Sequence, residues 1–162
     1  MSVTEQLELL VKIQDFELDD PDVAFTFSER LARENGWTIN YALRCIDEYK
    51  KFMYLICITD HPLTPSDQVD QVWHLHLVYT QSYWIQFCEN VLGRSIHHGP
   101  TKGGNDEQAK FYDWYGKTKL LYQLTFQEVA PKDIWPESKD RFNVMDFIRV
   151  NRSQYWLIKK FF

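Results

Sequence analysis

Apolar residues recur at helical spacing along most of the chain, and polar or helix-stopping residues separate the runs. The first runs are VTEQLELLV, with Leu7, Leu10 and Val11 on one side, and VAFTFSERLAREN, which ends before Gly36. Spacings of three and four residues place side chains on one face of an α-helix, and glycine favours the left-handed conformation at which helices stop. The pattern predicts two short helices.

Two longer helices are predicted further along the chain. Thr38 is a suitable N-cap for one of them, which runs to about Thr59. Asn105 begins the other, which runs to about Gln127. The apolar positions of the first are Ala42, Ile46, Tyr49, Phe52 or Met53, and Ile56, and those of the second are Phe111, Trp114 or Tyr115, Leu121 and Leu124.

Residues 67–92 contain neither glycine nor proline and lie between the breaker sequence HPLTPS and Gly93. The simplest prediction is one continuous helix with a bend near Thr80. At about 100° per residue, one face of this helix is largely aromatic and is predicted to lie in the core. The residues of that face are Val69, Val72, Trp73, His76, Thr80, Tyr83, Trp84 and Phe87.

The stretch VWHLHLVY also alternates with a period of two, which is the pattern of a β-strand. On a strand, His74 and His76 would point to the same face. A helix is favoured because the segment is long and uninterrupted and because no partner strands are evident elsewhere. The chain is therefore predicted to be all-α, a compact bundle of about five helices with an irregular aromatic C-terminal tail.

The composition fits one domain over residues 1–162, since 44% of the residues are hydrophobic and a chain of this length can bury a stable core. The tail over residues 130–162 has only a weak pattern, but it is rich in the aromatic and arginine side chains that are frequent at protein interfaces. Two alternatives stay open for this tail: it wraps its own domain, or it docks on a protein partner.

The charge pattern argues against several classes of partner. The net charge is −5 and the basic residues are scattered, so nucleic-acid binding is not expected. No apolar run approaches the roughly 20 residues of a membrane span. The acidic N-terminus lacks a signal-peptide pattern, and the three cysteines form no CxxC motif. A cytoplasmic location is expected.

Histidines are the main candidates for chemistry, because four of the five lie within residues 74–98. On a helix, His74 and His76 are about 200° apart and cannot face one metal ion without distortion. His76 falls on the aromatic face, where a buried neutral imidazole is expected, and a role as a supporting or fourth metal ligand stays open. His74 lies one turn after Asp70, a spacing at which two side chains meet.

The loop RSIHHGPTKGG is a second source of imidazole. Its glycines allow a close approach of the backbone, so the loop can fold back over the helix and add His97 or His98 to Asp70 and His74. Such a set, with water in an open position, suits zinc or another divalent ion. The alternative is that both loop histidines are simply exposed to solvent.

The run VDQVWHLH, followed by a glycine and the tripeptide HGP, resembles the glycine-rich domain-containing protein-like family, a group of helical domains. The resemblance covers about residues 60–115 and implies a helical fold and a site at the histidines, but no particular reaction. The glycine-rich segment that names that family is absent from these 162 residues. The matching residues are Val69, Asp70, Val72, Trp73, His74, His76, Gly93, His98 and Pro100.

Two functions remain open. The first is a divalent-metal-binding domain, most simply for zinc, whose site is formed by the WHxH helix and the HHGP loop. The second is a non-catalytic protein–protein interaction module in which the histidines are structural. Neither HExxH nor a Ser-His-Asp set is visible, so the sequence does not decide whether the protein is an enzyme. A metal-dependent hydrolase is the class that an enzyme with this site would belong to.

Overall fold

The computed structural model describes residues 1–99, 105–143, 153–154 and 156–158. In these ranges all regular secondary structure is helical, and the all-α prediction is confirmed. The elements are α1 (Val3–Gln14), α2 (Phe27–Asn35), α3 (Ile39–Ile58), α4 (Asp67–Val78), a π-helix (Gln81–Leu92), α5 (Asn105–Phe126) and α6 (Ser138–Asn143). These seven elements exceed the predicted five because the 67–92 helix is divided and because α6 follows within the predicted tail.

Polar side chains fix the starts of the first four helices. Ser2 and Thr26 each form a capping box with the glutamate three residues later. Thr38 is the N-cap of α3, as predicted, and its hydroxyl accepts a hydrogen bond from the Tyr41 N–H at 3.3 Å. Ser66 is the N-cap of α4, and its hydroxyl accepts a hydrogen bond from the Val69 N–H. Each cap satisfies a backbone N–H group that the helix itself leaves unpaired.

Helix α3 is the central element of the bundle, and it packs against α1, α2, α4 and α5. A helix covered on several sides must carry buried side chains around most of its circumference. Its buried residues are Ala42, Cys45, Ile46, Glu48, Tyr49, Phe52, Met53, Tyr54 and Leu55. One of these, Glu48, is a carboxylate and therefore needs compensation.

Residues far along the chain compensate the buried carboxylate of Glu48. Its Oε1 accepts hydrogen bonds from Lys51 Nζ at 3.0 Å and from the Tyr122 hydroxyl at 3.1 Å, and its Oε2 accepts the Trp135 indole N–H at 2.8 Å. A buried carboxylate is tolerated only with such partners. The network therefore ties α5 and the segment 130–136 to α3. The buried residues of that segment are Ala130, Ile134 and Trp135.

Segment 130–136 is the beginning of the predicted C-terminal tail, and it packs against the helices. Further along, Trp156, Leu157 and Ile158 are exposed. Residues 144–152, 155 and 159–162 lie outside the described residues. Whether residues 130–162 as a whole wrap the domain or dock on a partner therefore stays a prediction.

The sequence predicts no membrane span, because none of its apolar runs is long enough. The structure agrees, since no helix among the described residues is both long enough and apolar enough to cross a bilayer.

The predicted helix over residues 67–92 is divided into two helices close to the predicted bend near Thr80. Helix α4 ends at Val78, Tyr79 adopts a non-helical backbone conformation with φ −84° and ψ 66°, and the chain resumes as the π-helix. In a straight α-helix the backbones of Trp73 and Tyr83 would be about 15 Å apart. Here the Trp73 indole N–H donates to the Tyr83 hydroxyl at 2.9 Å, because the chain turns at Tyr79 and the π-helix packs against α4.

The turn also changes which side chains face the core. Upstream of it the predicted face is buried, at Val69, Val72, Trp73 and His76. Downstream the α-helical wheel no longer applies, so Thr80 is exposed and Trp84 is only half-buried. The buried residues of the π-helix are Tyr83, Phe87, Cys88 and Leu92. The strand alternative for VWHLHLVY is excluded because this stretch lies in α4 and in the turn that follows it.

Replacing Trp73 with alanine should lower the free energy of unfolding by about 3–5 kcal/mol, as large-to-small changes in cores do. The indole is only 6% exposed, and its N–H is hydrogen-bonded to Tyr83. Urea denaturation measures the change. Trp156→Ala is the matched control, because that side chain is 96% exposed and its loss should cost less than about 0.5 kcal/mol. Equal effects of the two substitutions would contradict the assignment of Trp73 to the core.

Candidate metal centre

Helix α4 presents Asp70 and His74 at its outer side, one turn apart. The buried side of the same helix is anchored by apolar residues such as Val69 and Val72, so these two side chains point away from the core. The Asp70 side chain is 18% exposed and that of His74 is 51% exposed. Asp70 also lies in the first turn of α4, where the helix dipole favours a negative charge.

The loop after the π-helix returns to α4 and brings His98 with it. Gly93 ends the π-helix in the left-handed conformation, with φ 66°, which glycine adopts without strain. Ile96 is then buried, and its carbonyl accepts the Tyr83 hydroxyl at 2.6 Å. Two residues later, His98 Nε2 lies 2.7 Å from Asp70 Oδ1. The His98 ring also packs edge-on against Trp73, with the ring centroids 4.4 Å apart.

Three possible ligand atoms thus converge, one each from Asp70, His74 and His98, and all lie within 4.8 Å of one another. Asp70 Oδ2 lies 4.0 Å from His74 Nδ1, and the rings of His74 and His98 are 4.5 Å apart. Zinc bonds of about 2.0–2.2 Å at tetrahedral angles separate two ligand atoms by roughly 3.3–3.5 Å. Asp70 Oδ2 and His74 Nδ1 are farther apart than this, at 4.0 Å, whereas Asp70 Oδ1 and His98 Nε2 are closer, at 2.7 Å. A zinc ion would therefore require His74 to move toward Asp70, and it would replace the hydrogen bond between Asp70 and His98 by opening that pair by about 0.6–0.8 Å.

The cluster has the donor types of a divalent transition-metal site. Two imidazoles and one carboxylate suit zinc, and the same set with open positions suits ferrous iron. His98 is 17% exposed and Asp70 is similarly shielded, whereas His74 faces solvent. An ion at this position would be held from the protein side and would keep coordination positions open toward water.

His76 is not placed as a metal ligand, although the sequence left that role open. Its Nδ1 lies 2.9 Å from the Tyr49 hydroxyl and its Nε2 lies 3.1 Å from Ser82 Oγ, so both ring nitrogens are already engaged. A neutral imidazole satisfies both contacts, since one nitrogen donates and the other accepts. Five aromatic rings surround it with centroids within 6.0 Å, those of Phe16, Phe27, Tyr49, Tyr83 and Phe87.

Burial lowers the pKa of His76 to about 3. The side chain is completely buried, and removing an imidazolium from water into an aromatic environment is costly. His76 is therefore the buried neutral imidazole that its position on the aromatic face predicts.

His97 does not join the cluster either. It is exposed, and its ring lies beside Trp84 with centroids 5.3 Å apart. Adjacent residues of an extended loop point to different sides, so a loop that directs His98 toward Asp70 turns His97 away. Of the five predicted metal ligands, the structure brings together Asp70, His74 and His98 and separates His76 and His97 from them.

Sequence reasoning missed the hydroxyl groups that fix these histidines. Tyr49 and Tyr83 were placed in apolar faces for their rings alone, and Ser82 was not singled out. The available signal was that a buried tyrosine or tryptophan needs a hydrogen-bond partner for its polar end. The identity of each partner depends on the geometry of the turn at Tyr79, which the predicted bend near Thr80 does not specify.

Comparison with known proteins assigns the chain to a different family from the one its motif suggested. A family model described as UCP032817-like matches residues 25–112, which is more than half of the chain and includes the whole cluster. The resemblance to the glycine-rich domain-containing protein-like family is therefore wrong: its short motif is not sufficient to identify a family. Comparison with curated proteins and with solved structures found no match.

The protein should lose stability in mild acid because of His76. The unfolded chain binds a proton at this imidazole near pH 6.5, whereas the folded chain binds it only near pH 3. The unfolded state thus holds more protons between these values, so the free energy of unfolding should fall as the pH decreases from about 6.5 toward 3. Between pH 7.5 and pH 5 the loss from this group should be about 2 kcal/mol.

Urea denaturation in the presence of a chelator measures that loss for the wild type, for His76→Asn and for His61→Asn, which changes an exposed histidine. His61→Asn should retain the acid sensitivity, and His76→Asn should be less stable at neutral pH but less sensitive to acid. An unchanged pH dependence in His76→Asn would rule out His76 as the source.

Proposed function

The chain belongs to the UCP032817-like family, whose name states no activity or ligand, and from the geometry of the cluster we propose that it is a divalent-metal-binding helical domain. Asp70, His74 and His98 are the proposed ligands. Zinc is the proposed ion, because two imidazoles and one carboxylate form a ligand set of its open sites.

One observation carries this proposal: three residues from two separate segments place ligand atoms within 4.8 Å of one another. The contact between Asp70 and His98 spans 28 positions of sequence and depends on a loop that is anchored in the core. Asp70 and His74 alone would be an ordinary pair one turn apart on a helix. The returning loop is what supports a metal site over a simple surface contact.

An ion held in this way would retain open positions on the side of exposed His74. Such positions accept water or an external ligand, and a bound divalent ion lowers the pKa of that water. This is the chemistry of metal-dependent hydrolysis, and it is the reaction class proposed for any activity of this site. Binding is the primary proposal, since it depends only on the three ligands.

The second candidate is a non-catalytic protein-interaction module in which the histidines are structural. The observation that favours it is the exposure of three successive apolar residues near the C-terminal end, Trp156, Leu157 and Ile158, which are 96%, 65% and 85% exposed. In this alternative the hydrogen bond between Asp70 and His98 serves only to close the loop. A partner would be a protein that covers the apolar residues of the tail.

Protein purified without a histidine tag should bind one zinc ion per chain, which calorimetric titration and metal analysis can measure. His74→Ala and His98→Ala should each weaken binding by about 100-fold or more, because each removes one of only three ligands. His76→Ala should mainly lower the free energy of unfolding. His97→Ala is the matched control, since it removes a neighbouring imidazole that lies outside the cluster.

Metal binding should weaken as the pH falls, because a metal ion binds the neutral form of imidazole and must displace any proton on it. Titrations with zinc at pH 7.5 and 5.5 test this direction. If the wild type takes up none of zinc, manganese, nickel or ferrous iron, the metal function is rejected and the interaction module takes its place. Equal loss of affinity in His97→Ala and His98→Ala would contradict the assignment of ligands.

A further inference from the structure

The loop that carries His98 is held by a hydroxyl group in the core. The Tyr83 side chain is completely buried, and its oxygen lies 2.9 Å from the Trp73 indole nitrogen and 2.6 Å from the Ile96 carbonyl oxygen. An indole N–H only donates and a carbonyl only accepts, so the hydroxyl must accept from Trp73 and donate to Ile96. We call this chain of two hydrogen bonds the Trp73–Tyr83–Ile96 relay.

From these contacts we propose that Tyr83 is a positioning residue of the metal site, which fixes the loop at Ile96 so that His98 reaches Asp70. This inference rests on the proposed metal-binding function. Tyr83 itself is not among the ligands, and it acts through the backbone of the loop.

The position of Ile96 explains why its carbonyl controls His98. Only one residue separates the two, and the Ile96 side chain is buried, so both its backbone and its side chain are fixed. The ring of His98 then packs against Trp73, the residue at the other end of the relay. The relay therefore defines the distance between α4 and the loop at the point where the ligands meet.

Phenylalanine cannot replace Tyr83 in this role. Without the hydroxyl, no group connects the Trp73 N–H to the Ile96 carbonyl. Both groups then lose the hydrogen bond that they form with Tyr83. Burial raises the pKa of Tyr83 far above its usual range, so the hydroxyl keeps its proton and remains a donor to Ile96. Asp70 and His74 are both on α4 and do not depend on the loop.

The chain offers a matched control in Tyr49. This tyrosine is also completely buried, but its hydroxyl is bonded to His76 Nδ1 and does not contact the loop. Tyr83→Phe and Tyr49→Phe thus remove the same atom from two equally buried sites. A purely structural role predicts that both substitutions lower stability and that neither changes the metal site.

Two measurements should distinguish Tyr83→Phe from Tyr49→Phe: the affinity for zinc and the visible absorption spectrum of the cobalt(II)-loaded protein. Tyr83→Phe should weaken zinc binding by about 10- to 100-fold, as loss of a group that orients a ligand does, and should alter the cobalt spectrum as His98 loosens. Tyr49→Phe should keep the affinity within about twofold of the wild type, since the cluster is untouched. Equal affinities of Tyr83→Phe and the wild type would overturn the inference.

A metal-free measurement distinguishes failure of the inference from failure of the proposed function. In the metal-free wild type, nuclear Overhauser effects should connect the His98 and Trp73 rings, whose centroids are 4.4 Å apart. These effects should weaken in Tyr83→Phe and persist in Tyr49→Phe. If the wild type binds no metal but this pattern is observed, the metal function fails and the positioning of His98 by Tyr83 stands. If the effects persist unchanged in Tyr83→Phe, the positioning inference fails.

Discussion

Trp73 carries an indole N–H into the core, where a donor without an acceptor would cost free energy, and the Tyr83 hydroxyl provides the acceptor at 2.9 Å. This hydrogen bond is possible only because the chain turns at Tyr79 and packs the π-helix against α4. The same turn places Ser82 beside His76. The contact of His76 with Ser82 and the Trp73–Tyr83 hydrogen bond, which leads on to the loop at Ile96, therefore share this one turn.

The candidate site lies where this packed region meets solvent. Asp70 and His98 are largely shielded, and each is held by a neighbouring element, whereas His74 is exposed and able to rotate. The arrangement gives a fixed pair of proposed ligands and one adaptable proposed ligand. The two histidines of this helix turn also have different environments. His76 is buried and stabilises the core only in its neutral form, whereas the His74 side chain is exposed and can contact an ion from solvent.

The core includes residues that lie outside the range matched by the family model. The matched range, residues 25–112, contains α3, α4, the π-helix and all three proposed ligands. Tyr122 and Trp135, which compensate the buried carboxylate of Glu48, lie after it. The site can thus be formed within the region that defines the family, while closure of the core around α3 uses residues beyond that region. The short VDQVWHLH motif covers eight residues of α4, and it indicated a family other than the one that matches residues 25–112.

The sequence alone determined the features that local spacing and chain chemistry control. Helical periodicity predicted the all-α class, and the cap at Thr38 predicted the beginning of α3. The rotation of about 100° per residue predicted that His74 and His76 face different environments. The glycines of the loop, together with the spacing of Asp70 and His74, indicated that a loop histidine could reach this pair, while leaving open that both loop histidines face solvent.

Tertiary structure decided the features that depend on contacts distant in sequence. The helix break at Tyr79 carries no proline or glycine signal, and it follows from the packing of the π-helix against α4. That break made Tyr83 the partner of Trp73, and the resulting anchor at Ile96 selected His98 over His97. Two adjacent histidines have the same local chemistry, so only the three-dimensional path of the backbone distinguishes them.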